Sequence, residues 1–141
     1  MKKYKIGFIC GFFDILHDGH IEILRKAKEN CNYLIVAVGT DDFMMIRKKR
    51  QSVLTYDQRV KIVNAIKYVD LVVPETDLDK ISAYHKYHFD VMFAGDDHLT
   101  EPIYIEATKT LKNMGVDTIY IPRCIDVSST SIRNKIIDLN K

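Results

Sequence analysis

No apolar run in this chain approaches the roughly 20 residues that a bilayer span demands, so the sequence offers no membrane-crossing helix. Cysteine is scarce. Cys10, Cys31 and Cys124 are odd in number and far apart, which gives neither a disulfide framework nor a zinc spacing and suits a reducing cytoplasm. Only three prolines occur, beside 47% hydrophobic and 28% charged residues, and that balance excludes a collagen-like or disordered chain. A large excess of one charge is also missing. The net charge of +2 is far from that of a dedicated nucleic-acid binder. Met1-Lys2-Lys3-Tyr4-Lys5 does put charge ahead of an apolar stretch, but Ile6 to Phe13 is broken by two glycines and then meets Asp14, too short for a secretory leader.

What is present is a regular alternation, with no linker, low-complexity tract or internal repeat. Residues 1–141 are expected to form one domain. Lys5–Cys10, Tyr33–Gly39, Leu71–Val73, Val91–Ala94 and Thr118–Ile121 read as short strands rich in Val, Ile, Tyr and Phe. Between them Ile21, Leu24 and Ala27 share one helix face, and Val60, Val63 and Ile66 share another behind Thr55 as N-cap. Asp77 to Tyr87 reads as a shorter helix. Tyr104, Ala107, Leu111 and Met114 form a stripe that stops at Gly115. Ile132, Ile136 and Leu139 form a last stripe after a Ser-Ser-Thr cluster. Such alternation predicts a doubly wound, Rossmann-like α/β sheet of about five parallel strands with helices on both faces. Ligands of these sheets bind beyond the carboxyl ends of the strands, where strand order reverses.

The chemistry-bearing residues follow strands. After the first comes Gly11-Phe12-Phe13-Asp14-Ile15-Leu16-His17-Asp18-Gly19-His20, and then a helix. Gly11 permits a tight exit, and Gly19 lets backbone approach a ligand at a helix start, where exposed N–H groups and the positive dipole end favour phosphate. His17 and His20 are suited to donate to phosphate oxygens while charge builds on them. The same spacing of Asp14, His17 and His20 also fits an imidazole–carboxylate metal set, or two histidines satisfied by local hydrogen bonds. The run Arg47-Lys48-Lys49-Arg50 suits a small anion, or is a solvated charge run. Asp41 and Asp42 meet a ribose or cap a turn. His85 and His88 have no companions to complete a ligand set and read as surface or packing residues.

The segment Gly-x-Phe-Asp-x-x-His-x-Gly-His resembles the signature of the cytidylyltransferases among the His-x-Gly-His nucleotidyltransferases. The resemblance continues in order along nearly the whole chain. Tyr56-Asp57-Gln58-Arg59 is similar to the family's acidic-x-Arg stretch, Tyr68-Val69-Asp70 with Pro74-Glu75 to its Tyr-Val-Asp…Pro-Glu segment, and Gly95-Asp96-Asp97 to its Gly-Asp-Asp. Ser128-Ser129-Thr130-Ser131-Ile132-Arg133 is similar to its Ser-Ser-Thr-x-x-Arg element. The glycerol-3-phosphate cytidylyltransferases look nearest.

The resemblance implies an enzyme that passes a nucleotidyl group from CTP to a small phosphorylated alcohol and releases pyrophosphate. It assigns catalysis to His17, His20, Lys48, Lys49 and Arg123. Nucleotide contacts fall to Gly11, Phe12, Phe13, Asp14, Gly19, Arg59, Gly95, Asp96, Asp97, Ser128, Ser129, Thr130 and Arg133, and acceptor contacts to Asp41, Arg47 and Arg50. The basic pair in the loop is Arg47 with Lys49, or Lys48 with Arg50. Mg²⁺ carried by the triphosphate, with no protein metal site, and a cytoplasmic homodimer without nucleic-acid partners complete the expectation. Phe12 stands where many relatives have a small hydroxyl residue, His98 where tryptophan is common, and Arg123-Cys124-Ile125-Asp126 where Arg-Thr-x-Gly is common. Ser-Ser-Thr-x-Ile-Arg also occurs in adenylyltransferases, so an adenylyltransferase using ATP and another phosphorylated acceptor is one alternative, and a non-catalytic nucleotide-binding module is the other.

Overall fold

The structure is a computed structural model that describes residues 3–122 and 134–137. Arg123, Ser128, Ser129, Thr130 and Arg133 lie outside the described residues. Strands β1 (Tyr4–Gly11), β2 (Cys31–Gly39), β3 (Leu71–Glu75), β4 (Val91–Gly95) and β5 (Asp117–Ile121) form one parallel sheet in the order β3-β2-β1-β4-β5. All five strands read from the sequence are present, each longer by one or two residues because ladder bonds continue past the apolar run. In register, Gly11 faces Val38 and Gly95 faces Ile121.

Helices α1 (Asp18–Glu29), α2 (Asp41–Lys48), α3 (Tyr56–Asn64), α4 (Lys80–Tyr87) and α5 (Pro102–Asn113) follow their strands. Alternate strand residues feed two cores, as a sheet covered on both faces requires. Ile9, Leu34, Val36, Val38 and Phe93 pack with Leu24 and Ala27 of α1 and Val63 of α3. On the other face Phe8, Ile35, Met92 and Ala94 pack with Tyr104 and Leu111 of α5 and Phe89. A side chain at Gly7 would meet the Phe93 ring at 2.6 Å and Cys31 Sγ at 2.8 Å, so the central strand needs glycine there for packing.

Two boundaries correct the sequence expectation. Residues 41–48 are helix α2, not a loop. Thr40 caps it by accepting from the Phe43 N–H, Asp41 and Asp42 lie in its first turn, and Arg47 and Lys48 lie in its last. Helix α4 starts at Lys80 because the Asp79 carboxylate accepts from the N–H groups of Ile81 and Ser82. The last helix is described only at 134–137, where its turn is exposed.

Arg59, expected at the nucleotide, is instead a fully buried clamp. Its Nε donates to the Leu54 carbonyl at 3.1 Å, and Nη1 to the carbonyls of Phe12 at 2.8 Å and Gly39 at 2.6 Å. Nη2 donates to the Asp41 carboxylate at 2.7 Å. Asp41, expected at the acceptor, does not line the cavity, and its oxygens also take the Ser52 hydroxyl and the Tyr56 N–H. Partial burial pulls the Asp41 carboxyl upward, but those bonds outweigh it and hold it below its usual range.

Arg59→Met should lower unfolding free energy by about 3 kcal/mol, because three buried carbonyls lose their donor. A urea titration that finds normal stability with lost nucleotide binding would return Arg59 to the ligand. Asp41 carries a lowered folded pKa, so its contribution is full above the ordinary value of 3.8 and fades as pH falls through the lower folded value. Urea midpoints of wild type and Asp41→Asn should therefore differ at neutral pH and converge at low pH.

Candidate active site

The carboxyl ends of β1 and β4, on either side of the reversal in strand order, open into a cavity of about 320 Å³. The β1–α1 loop forms one wall. Here the chain adopts left-handed backbone at Phe13 (φ 53°) and at Ile15 (φ 50°), not at the glycines the sequence pointed to. A β-branched residue at positive φ is strained, and strain of this kind persists only where surrounding contacts fix it. Phe13 is buried beneath the loop. The Asp14 carboxylate, 3% exposed, accepts the N–H groups of Val53 (2.9 Å) and Leu54 (3.0 Å) and lies 3.6 Å from Arg50. Asp14 thus lines the cavity while its oxygens tie down the segment before α3.

His17 and His20 cap α1 reciprocally. The Gly19 N–H donates to His17 Nδ1 at 3.0 Å, and the His17 N–H donates to His20 Nδ1 at 3.1 Å. An accepting Nδ1 puts the proton of the neutral ring on Nε2. The two rings lie 4.1 Å apart and both line the cavity, at a helix start whose dipole favours anions. The Asp14 carboxylate and both imidazole Nδ1 atoms are thus engaged by backbone N–H groups. Among the described residues no three His, Cys, Asp or Glu side chains gather to hold a metal ion.

Of the basic run, Arg47, Lys48 and Arg50 line the cavity, and Lys49 does not. Lys49 is the left-handed C-cap of α2 (φ 60°), which turns the run between its third residue and its fourth. Gly95 and Asp97 also line the cavity, while exposed Asp96 starts a short 3₁₀ turn, Asp96–His98, and does not. Gly11, Phe12 and Gly19 border it as expected. His85 and His88 lie exposed against Tyr84, and His88 is the left-handed C-cap of α4.

One group here was not found in the sequence. Lys80 is 4% exposed, and its Nζ donates to Glu75 Oε2 and to Cys10 Sγ, both at 2.9 Å. Tyr104 completes the set, with its hydroxyl 3.7 Å from Cys10 Sγ and its ring 5.2 Å from Lys80 Nζ. Burial pulls the Lys80 ammonium down, but the Glu75 carboxylate 2.9 Å away opposes that and keeps it charged. Burial pushes the Cys10 thiol up to about 11 despite the nearby ammonium, so it is neutral at physiological pH. Lys80 opens a short helix and Tyr104 belongs to a core stripe, so neither carried a sequence signal. Only the sheet order brings β1, β3, α4 and α5 together.

Residues 8–135 match the model of a family described as cytidylyltransferase-like. The chain is 37% identical to the glycerol-3-phosphate cytidylyltransferase of Staphylococcus aureus over 89% of its own length and 90% of that protein's. It is 33% identical to the FAD synthase of Korarchaeum cryptofilum over 93% and 90% of the two chains. In fold it is similar to the lipopolysaccharide core biosynthesis protein from Thermoplasma volcanium, with a TM-score of 0.70, 21% identity and coverage of 85% and 96%.

The reciprocal cap predicts that His20→Ala costs about 1 kcal/mol, the usual cost of losing one cap partner. His85→Ala, at an exposed position, should shift thermal unfolding by less than the error. Equal shifts for the two variants would mean that the imidazole bonds at the start of α1 add nothing to stability.

Proposed function

The chain belongs to the cytidylyltransferase-like family, and from that premise we propose that it transfers a nucleotidyl group from CTP to a small phosphorylated alcohol, glycerol 3-phosphate first among candidates, and releases pyrophosphate. The observation that carries this reading is the two-histidine cap of α1, opening on a cavity bordered by Arg47, Lys48, Arg50 and Lys80. Four cations around one helix start suit a site for two phosphorylated substrates. The glycerol-3-phosphate cytidylyltransferase among the relatives supports the choice of base and acceptor.

An oxygen of the acceptor phosphate attacks the α-phosphorus in line. The new P–O bond forms as the bond to the oxygen bridging to the β-phosphorus breaks, and that electron pair leaves with pyrophosphate. No covalent enzyme intermediate is required, because positioning and charge stabilisation supply the catalysis. His17 and His20 donate from Nε2 to phosphoryl oxygens as their charge grows, and the start of α1 adds its dipole. Arg47, Lys48 and Arg50 neutralise the triphosphate, with Arg123 and Arg133 assisting the leaving group as the resemblance implies. Lys80, fixed by Glu75, supplies positive charge on the opposite wall, where it suits the acceptor's phosphate. Mg²⁺ carried with the triphosphate would offset further charge on the transferring group. A homodimer remains part of the reading on the strength of the resemblance. The FAD synthase relative supports one alternative, the same transfer with ATP and another phosphorylated acceptor.

Pyrophosphate release measured with four nucleoside triphosphates against a panel of phospho-alcohols should need triphosphate, acceptor and Mg²⁺ together, with CTP preferred. A preference for ATP would move the enzyme to the alternative, and release with no acceptor in any combination would sink the proposal. His20→Ala should lower kcat roughly 100- to 1000-fold, the usual loss for one donor to developing charge. The substrate KM should change little.

A further inference from the structure

Strand order gives Lys80 a long reach. It opens α4, which follows β3, and β2 lies between β3 and β1 in the sheet. Its Nζ nevertheless meets Cys10 of β1 as well as Glu75 of β3, each at 2.9 Å. An ammonium carries three N–H donors. Glu75 Oε2 takes one and Cys10 Sγ a second, and among the described residues the third has no partner. The Lys80 side chain is 3% exposed and lines the cavity, so that third donor is shielded from bulk water beside the ligand space. The Cys10 thiol is neutral at physiological pH, and Tyr104 Oη, 3.7 Å away, can take its S–H, which leaves the sulfur lone pairs to the ammonium. Tyr104 adds its ring, 5.2 Å from Nζ and held flat on His98 with centroids 4.3 Å apart. Glu75 alone would let the ammonium swing about the carboxylate. Two contacts and a ring leave it one place.

We propose that Cys10 is a positioning residue for the acceptor, holding Lys80 so that its third N–H meets the acceptor's phosphate, and this rests on the nucleotidyl-transfer reading above. Cys10 is the last residue but one of β1, and the turn into α1 with His17 and His20 follows directly after Gly11. One strand end therefore places both imidazoles for the transferring phosphoryl group and, through the sulfur, the cation for the attacking phosphate. In-line attack needs those two phosphates in a fixed relation. Cys10 itself touches neither substrate in this scheme and acts only through the ammonium.

The test measures kcat/KM for glycerol 3-phosphate, or for whichever phospho-alcohol turns over best, in wild type, Cys10→Val and Cys10→Ser. Valine is close to cysteine in size but accepts no hydrogen bond, whereas serine does. Cys10→Val should lower the acceptor's kcat/KM about 5- to 10-fold, within the range of one hydrogen bond, while the nucleotide KM stays put. Cys10→Ser should recover most of that loss. A role in packing alone predicts the reverse order, because valine suits the apolar neighbours of Cys10 and serine does not. That reverse order overturns the proposal, as do equal values in the two variants or a nucleotide KM that rises in step. Thermal unfolding checks that each variant is folded, and Cys10→Ala replaces Cys10→Val should valine prevent folding. Absence of turnover by wild type with every acceptor overturns the transfer reading and this role together, whereas equal turnover by all three proteins overturns the role alone.

Discussion

The Arg59 guanidinium, with no solvent exposure, binds the carbonyls of Phe12, Gly39 and Leu54 and the carboxylate of Asp41. Those four partners sit on the loop after β1, the end of β2, the segment before α3 and the first turn of α2. None of these pieces is in regular contact with all the others, and each would otherwise present a polar group to the interior. A buried charge is costly unless its hydrogen bonds are met, so the clamp is stable only when all four pieces are in place. Two of these pieces, the loop after β1 and helix α2, also line the cavity.

Charge within the cavity follows a second rule. Arg47 faces Glu101, Arg50 faces Asp14, and Lys80 faces Glu75. These pairs are not equivalent. Lys80 and Glu75 are 3% and 10% exposed and 2.9 Å apart, so that ammonium is held in one place by its partner. The Arg47 and Arg50 pairs are longer, at 3.8 and 3.6 Å, and about a third of each arginine side chain is open to solvent. Pairs of that length with a solvent-open arginine contribute little, and buried Asp14 keeps its two backbone N–H donors when Arg50 leaves, so a polyanion can draw both arginines away at small cost. One wall of the cavity offers a rigid cation, and the other offers two that can follow the ligand.

The sheet is legible because strands buried on both faces read as short continuous apolar runs, as in β2 and β4. Helix α2 went unread although its signals were complete, with Thr40 as cap, acids in the first turn and bases in the last. The Arg47 to Arg50 run resembled a loop more than a helix end. The histidine segment was legible because cap, glycine and dipole all belong to one stretch of chain. Arg59 is the opposite case. An arginine near a helix start looks the same in sequence whether it meets a phosphate or three carbonyls, and only burial separates the cases. Lys80, Cys10, Tyr104 and Glu75 come from four elements, and their meeting depends on the strand order β3-β2-β1-β4-β5, which no local pattern encodes.

The clamp also explains why the β1–α1 loop can hold Phe13 and Ile15 in left-handed backbone. Strained residues relax unless their neighbours over-determine them. Here Arg59 fixes the Phe12 carbonyl on one side of Phe13, and on the other Asp14 is locked by two N–H groups from residues 53 and 54. Beyond Ile15, the reciprocal bonds of His17 and His20 fix the start of α1. The two strained residues thus lie between rigid attachments, and relaxing either would break one of them. That constraint turns the loop sharply enough to bring both imidazoles over the carboxyl end of β1. In the proposed transfer, a phosphate arriving there would meet donors already in position, with little reorganisation left to oppose its binding or its reaction.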